Sequence, residues 1–179
     1  GESLLSATMP ILESLGVMPA IEAAGFLKKP GGTFRWGDNA EPWSFFFRED
    51  PGGRPHAYQV VRAQFDHILL KHAASLGVEV REGHAVRQIR QLDTVDGAGV
   101  EVTALDPQGA LFTASAAYLI DASGQSALLG TRERLREFNP FFKNLAVFGY
   151  FENAKRLEGK IAGNILSTAF ADGWYWFIP

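Results

Sequence analysis

Apolar positions along this chain fall into helical and strand-like rhythms in turn. Thr8 followed by Pro10 marks a helix start, a hydroxyl for the N-cap and a proline whose missing N–H costs nothing in the first turn. Ile11, Leu12 and Leu15 predict the apolar face of that helix, and Gly16 its end. A second short helix is expected over 18–24, closed by Gly25. Residues 27–32, Leu-Lys-Lys-Pro-Gly-Gly, break the helical period and predict a loop. Thr33–Trp36 and Trp43–Arg48 are β-branched and aromatic and predict strands. The turn-rich segment 37–42 separates them, and a second turn cluster fills 50–55.

Residues 62–76 give the clearest helix, with Phe65, Ile68, Leu69, His72, Ala73 and Leu76 on one stripe and Gly77 at the end. Strands are expected at 78–81, 84–92, 99–105 and 110–115. Asp96-Gly97 and Asp106-Pro107-Gln108-Gly109 as turns make these an antiparallel meander. Tyr118-Leu119-Ile120 reads as a short strand, 126–136 as helical, and Leu145–Phe151 and Trp174–Ile178 as further strands with a loop or helix between them. The fold class is mixed α/β (α+β) with an antiparallel component.

Composition narrows the chemistry. The chain has 179 residues, 46 % hydrophobic and 21 % charged, which fits one ordinary domain with a real core. A net charge of −3 without a basic stripe argues against a nucleic-acid surface. Zero cysteines exclude a disulfide scaffold, a thiolate zinc site and a cysteine nucleophile. No apolar run reaches membrane-spanning length, so a cytoplasmic protein without a membrane partner is the expectation. His67 and His72 are five apart on one helix, on diverging faces, and no metal site is expected. The aromatic excess, 14 Phe, 4 Trp and 4 Tyr, clusters at 34–47, 141–151 and 170–177, where a pocket is expected.

Five segments carry a resemblance. Tyr118-Leu119-Ile120-Asp121-Ala122-Ser123-Gly124, an apolar strand delivering a turn and a helix start, resembles the second phosphate- and ribitol-contacting segment of flavoprotein monooxygenase-type folds. Glycine there lets backbone approach a cofactor, and a helix start favours anions. Gln59-Val60-Val61-Arg62 before the long helix resembles another part of that fold, in which an arginine meets the flavin. Gly1-Glu2-Ser3-Leu4-Leu5, Gly31-Gly32-Thr33-Phe34-Arg35-Trp36-Gly37 and Trp174-Tyr175-Trp176-Phe177-Ile178-Pro179 together resemble the flavin-dependent halogenases over essentially the whole chain. The last segment fits the Trp-x-Trp-x-Ile-Pro signature at every fixed position. The Gly-Gly-Thr-Phe-Arg-Trp-Gly segment looks like the subgroup acting on phenols and pyrroles, free or tethered to a carrier protein. Ser6 departs from the proline usual after Gly-Glu-Ser-Leu-Leu.

The resemblance implies an enzyme in which FADH2, supplied by a separate flavin reductase, reacts with O2, and halide is oxidised to hypohalous acid. The oxidant then travels to a lysine, and an electron-rich aromatic is halogenated. By its place before Gly31, Lys29 matches that lysine, with Lys28 as the neighbour to test. Trp174 and Trp176 are implied as the wall between flavin and substrate. Gly1, Glu2, Ser3, Arg62, Asp121 and Gly124 are implied as FAD contacts, and Phe34, Trp36 and Phe46 as substrate-pocket residues. On residues alone, Lys29 reads as a solvated loop lysine and each aromatic as core filler.

The resemblance also implies one partial domain, with a substrate side at about 26–58 and 139–179 and an FAD side at about 1–25 and 59–138. No Gly-x-Gly-x-x-Gly occurs in the chain, so the unit gripping the ADP half of FAD is expected before Gly1, and further contacts after Pro179. The chain is expected to be a piece of a longer protein that alone neither holds FAD tightly nor turns over. Competing readings are an FAD-dependent aromatic monooxygenase or geranylgeranyl-reductase-like oxidoreductase, and a non-catalytic binding module.

Overall fold

The computed structural model describes residues 3–38, 41–94 and 97–179. In chain order the elements are α1 (Met9–Ser14), α2 (Met18–Ala23), β1 (Leu27–Lys29), β2 (Gly31–Arg35), β3 (Trp43–Phe46), β4 (Ala57–Gln59), α3 (Arg62–Ser75), β5 (Ala85–Thr94), β6 (Gly97–Leu105), β7 (Leu111–Ala116), α4 (Leu128–Arg132), β8 (Ile165–Phe170) and β9 (Gly173–Phe177). The fold is mixed α/β, and contacts divide it into two units, residues 1–80 with 151–179, and residues 81–150.

In the first unit, α1, α2 and α3 pack with β4. Met9, Leu12, Val17, Ile21, Tyr58 and Phe65 form its buried core. The buried edge of α1 is Met9 and Leu12, whereas Ile11 and Leu15 of the expected face are exposed. Six residues make less than two turns, and an i, i+3 pair suffices to anchor them. In α3, Phe65 is buried and Ile68 and Leu69 pack on the core, while Leu76 beyond the helix end is exposed.

The expected loop over 27–32 is two strands. β1 pairs antiparallel with β4, Lys29 opposite Ala57, and β2 starts at Gly31, so Pro30 alone marks the break. Pairing with distant segments overrides a local composition of lysine, proline and glycine. β3 stops at Phe46 rather than Arg48, because the Phe46 amide donates to Glu49 Oε2 at 2.9 Å and closes a 3-10 turn over Phe47–Glu49.

A four-stranded sheet has the order β3-β2-β8-β9. β8, in the stretch where a loop or helix is expected, is its organising strand: it pairs parallel with β2 (Gly32 opposite Ile165) and antiparallel with β9 (Ser167 opposite Trp176). Gly31 is required by the β2–β3 pairing, since a Cβ there would fall 1.9 Å from the Phe45 carbonyl oxygen.

The second unit is the expected meander β5-β6-β7, with a bulge between Val86 and Gln88. Asp106 Oδ1 accepts the amides of Gln108 and Ala110 and shapes the β6–β7 turn, as its Asp-Pro-Gln-Gly sequence predicts. Asp96 of the other expected turn, like Asn39 and Ala40 of the 37–42 segment, lies outside the described residues. Residues 78–81, 118–120 and 145–151 are not strands. Tyr118, Ile120, Leu145 and Val147 stand exposed, and a strand-like composition without a paired neighbour forms no ladder. The helix expected over 126–136 is a 3-10 turn, Gly124–Ser126, and the five residues of α4.

Candidate functional site

Successive strand residues point to opposite faces of a sheet, and register partners share a face. Applied to β3-β2-β8-β9, this puts Trp43 and Phe45, Phe34, Ser167, and Trp174 and Trp176 on one face. The rings confirm the assignment. Phe34 stacks on Trp43 at 5.0 Å and on Phe45 at 6.0 Å, while Trp36 lies 6.5 Å from Trp174, itself 6.4 Å from Trp176. Trp36, Trp43, Trp174 and Trp176 are each about half exposed, so this is an open aromatic surface rather than filled core.

Phe46 lies on the other face, with the Arg48 guanidinium 4.9 Å from its ring centre. Phe45 and Trp43 hold the places beside Phe34 instead. Beneath the aromatic surface runs a polar row: Asn164 Nδ2 donates to Thr33 Oγ1 at 3.1 Å, and Thr33 Oγ1 and Ser44 Oγ are 2.9 Å apart.

Lys29 is 3 % exposed, whereas Lys28 faces solvent. The Lys29 Nζ donates to the Leu4 carbonyl oxygen at 3.0 Å and lies 5.4 Å from the centre of the Phe47 ring. Phe47 meets Phe45 edge-on at 5.7 Å, so an unbroken chain of rings runs from the lysine to the aromatic face. Burial penalises the ammonium form and brings the Lys29 pKa down to about 8. A large fraction of neutral, nucleophilic amine is therefore present at mildly alkaline pH. No carboxylate touches it among the described contacts.

The residues expected at FAD are less uniform. Gly1 and Glu2 lie outside the described residues. Ser3 bridges Gln59 across an antiparallel contact, and its hydroxyl is buried with no hydrogen-bond partner among the described residues. Next to it, the Leu4 amide donates to the Tyr58 carbonyl oxygen, so the segment that follows Gly1-Glu2 runs directly beside Lys29. Arg62 opens α3 and holds Asp66 through Nε and Nη2, both at 2.9 Å.

In the other unit, Asp121 accepts the amides of Ser123 at 3.0 Å and Leu129 at 2.8 Å, and Ser123 Oγ accepts that of Leu128. The side-chain contact with Ser123 and these backbone amides hold the Asp121 carboxyl below its ordinary range. Two amides at the start of α4 are thus already taken by side chains. Gly124 has φ +62° with nothing within 4 Å of a Cβ position, leaving open backbone that suits close approach of a cofactor. The carboxylate of Asp121 serves as a helix cap.

Two buried residues escaped sequence reasoning. Gln59, 5 % exposed, donates from Nε2 to the Gly163 carbonyl oxygen at 2.8 Å, and Ser167 is fully buried on the aromatic face. A polar residue in a strand gives no sign in sequence that it points inward.

A buried lysine with a lowered pKa is thus joined by rings to a tryptophan-rich sheet face. The family profile described as tryptophan halogenase matches residues 48–179, and the chain belongs to that family. Flavin-dependent halogenase armH4 of Armillaria mellea is 35 % identical over the whole chain, which covers 36 % of that protein. A 1H-pyrrole-2-carbonyl-[peptidyl-carrier protein] chlorinase of Pseudomonas fluorescens is 31 % identical, again over the whole chain and 44 % of the relative. Among solved structures, the FAD-dependent, myxobacterial chondrochloren halogenase CndH superposes with a TM-score of 0.87 at 44 % identity, over the whole chain and 41 % of its own. The chain therefore spans less than half the length of these relatives.

Proposed function

We propose that this chain forms the halogen-transfer part of an FADH2- and O2-dependent halogenase that chlorinates or brominates an electron-rich aromatic, a phenol or a pyrrole, free or carried on a carrier protein. The observation that carries the reading is Lys29: buried, lowered to a pKa of about 8, and joined through Phe47 and Phe45 to the aromatic face. The pyrrole-carrier chlorinase supports the substrate class. FAD, which Ser3 and Arg62 of the first unit would help to hold and a separate reductase would reduce, would supply the two-electron chemistry that turns O2 and halide into hypohalous acid.

The neutral Lys29 amine takes the electrophilic halogen from hypohalous acid, forming an N–halogen bond and releasing water. The ring carbon of the substrate then accepts the halogen, its proton leaves, and the amine is restored. Desolvation is the residue's contribution to this step, because an ordinary lysine at neutral pH is almost wholly ammonium and has no lone pair to offer. Trp174 and Trp176 wall the substrate from the flavin side. Phe34 and Trp36, with Trp43 and Phe45, offer ring faces on which a flat substrate stacks.

The test is turnover by the intact protein with reduced FAD, oxygen, bromide and a phenol and pyrrole panel. A bromine isotope doublet in the product supports halogenation. A product that gains one oxygen without any halide dependence supports an aromatic monooxygenase instead.

A further inference from the structure

Gln59 sits where the sheet carrying Lys29 meets the sheet carrying the aromatic face. Its Nε2 donates to the Gly163 carbonyl oxygen at 2.8 Å, a buried contact across 104 residues of sequence. Gly163 precedes Asn164 and β8, has φ +84°, and would place a Cβ 2.1 Å from the Lys28 carbonyl oxygen. The turn that launches β8 is thus held from two sides, by the Gln59 amide and by the backbone beside Lys29.

Register places Gln59 on the lysine's side of the ladder. Lys29 is opposite Ala57, Leu27 is opposite Gln59, and Ser3 bridges Gln59. Positions two apart share a face, so Lys29, Gln59 and Ser3 all project to one side of β1–β4.

Stability alone does not account for this residue. Gln59 Oε1 is buried without a hydrogen-bond partner among the described residues, as is Ser3 Oγ. A buried amide with one end unsatisfied is a worse choice for folding than an apolar side chain of the same size. Such a group is better explained by what it holds in place.

We infer that Gln59 is a positioning residue: clamped on Gly163, it sets the distance between the Lys29 amine and the aromatic face, so that halogen held by the lysine reaches a substrate ring. This rests on the lysine relay proposed above. A misplacement of about 1 Å at a group-transfer site is enough to cost orders of magnitude in rate.

The experiment compares Gln59→Met, Gln59→Glu and Lys29→Ala in the intact protein, reading halogenated product per flavin oxidised together with Tm. Met keeps the length and removes both polar ends. Glu keeps the shape and, as a carboxylate, cannot donate to Gly163, and it carries the test if the Met variant does not fold. The expected result is a fall of about tenfold in product per flavin oxidised, with Tm unchanged or higher in the Met variant. Full coupling in both Gln59 variants, with product lost in Lys29→Ala, overturns the role of Gln59 and leaves the relay standing. Tm and all rates falling together overturns it in favour of a purely structural glutamine. Product retained in Lys29→Ala removes the relay, and this inference with it.

Discussion

Lys29 donates from Nζ to the carbonyl oxygen of Leu4, and this bond ties the candidate halogen-carrying lysine to the segment expected to meet FAD. One of its N–H groups goes to this neutral acceptor, no carboxylate touches it among the described contacts, and burial lowers its pKa. Halogen transfer that uses the neutral amine should therefore rise with pH through a limb centred near 8. Single-turnover product formation, measured from pH 6 to 10 with preformed hypohalous acid, checks this. A flat profile across that range would mean that the amine's free base is not the reacting form.

The same burial predicts a cost in stability. Folded Lys29 has a lowered pKa, so between about 8 and the ordinary 10.5 the unfolded chain binds more protons, and stability rises with pH through that window. Below pH 8 the penalty is present in full. Lys29→Met should stabilise the protein by about 1–2 kcal/mol at pH 7, allowing for screening and for the lost Leu4 bond. The gain should vanish only above about pH 10.5. Denaturant melts of both proteins at two pH values suffice to read it.

Trp176 faces solvent on the same side as Phe34 and pairs with Ser167. Trp176→Ala removes a large ring from a partly exposed strand, so the fold should lose little while the partition between halogenated and oxygenated products shifts. The fraction of halogenated product should drop by about tenfold, comparable to the loss of a positioning contact. An unchanged product ratio in Trp176→Ala and Trp174→Ala would show that neither ring walls off the substrate.

Gly31 offers a test of the sheet itself. A methyl group there would lie 1.9 Å from the Phe45 carbonyl oxygen, a backbone atom that cannot swing aside. Gly31→Ala should destabilise by about 3 kcal/mol or more, at the severe end for a single substitution. Gly124→Ala instead meets open space, and its cost should be confined to the strain of φ +62°.

The sequence singles out candidate site residues where motif and chemistry coincide. Lys29, Trp174 and Trp176 follow from their places in ordered segments, and the structure adds burial of the lysine and exposure of the rings. Phe46 illustrates what sequence leaves open: in a period of two, a choice one residue off selects the opposite face, and only the pairing of Gly32 with Phe45 reveals it. β1 and β8 were missed for a related reason. Leu27-Lys28-Lys29 and Ile165–Phe170 are strands because partners distant in sequence accept them. Conversely, Leu145–Phe151 has a strand's composition and no partner strand among the described residues. Gln59 was invisible because a buried glutamine in a strand differs from an exposed one only through its neighbours.

The relay through Lys29 is tested most directly by the intact protein turning over with bromide and a preferred phenol or pyrrole, wild type against Lys29→Ala and Lys28→Ala. Both brominated product and hydrogen peroxide plus free hypobromite are measured. The account predicts that Lys29→Ala loses the brominated product while oxidant still escapes to solution, and that Lys28→Ala, whose side chain faces solvent, retains it. Undiminished bromination by Lys29→Ala would contradict it.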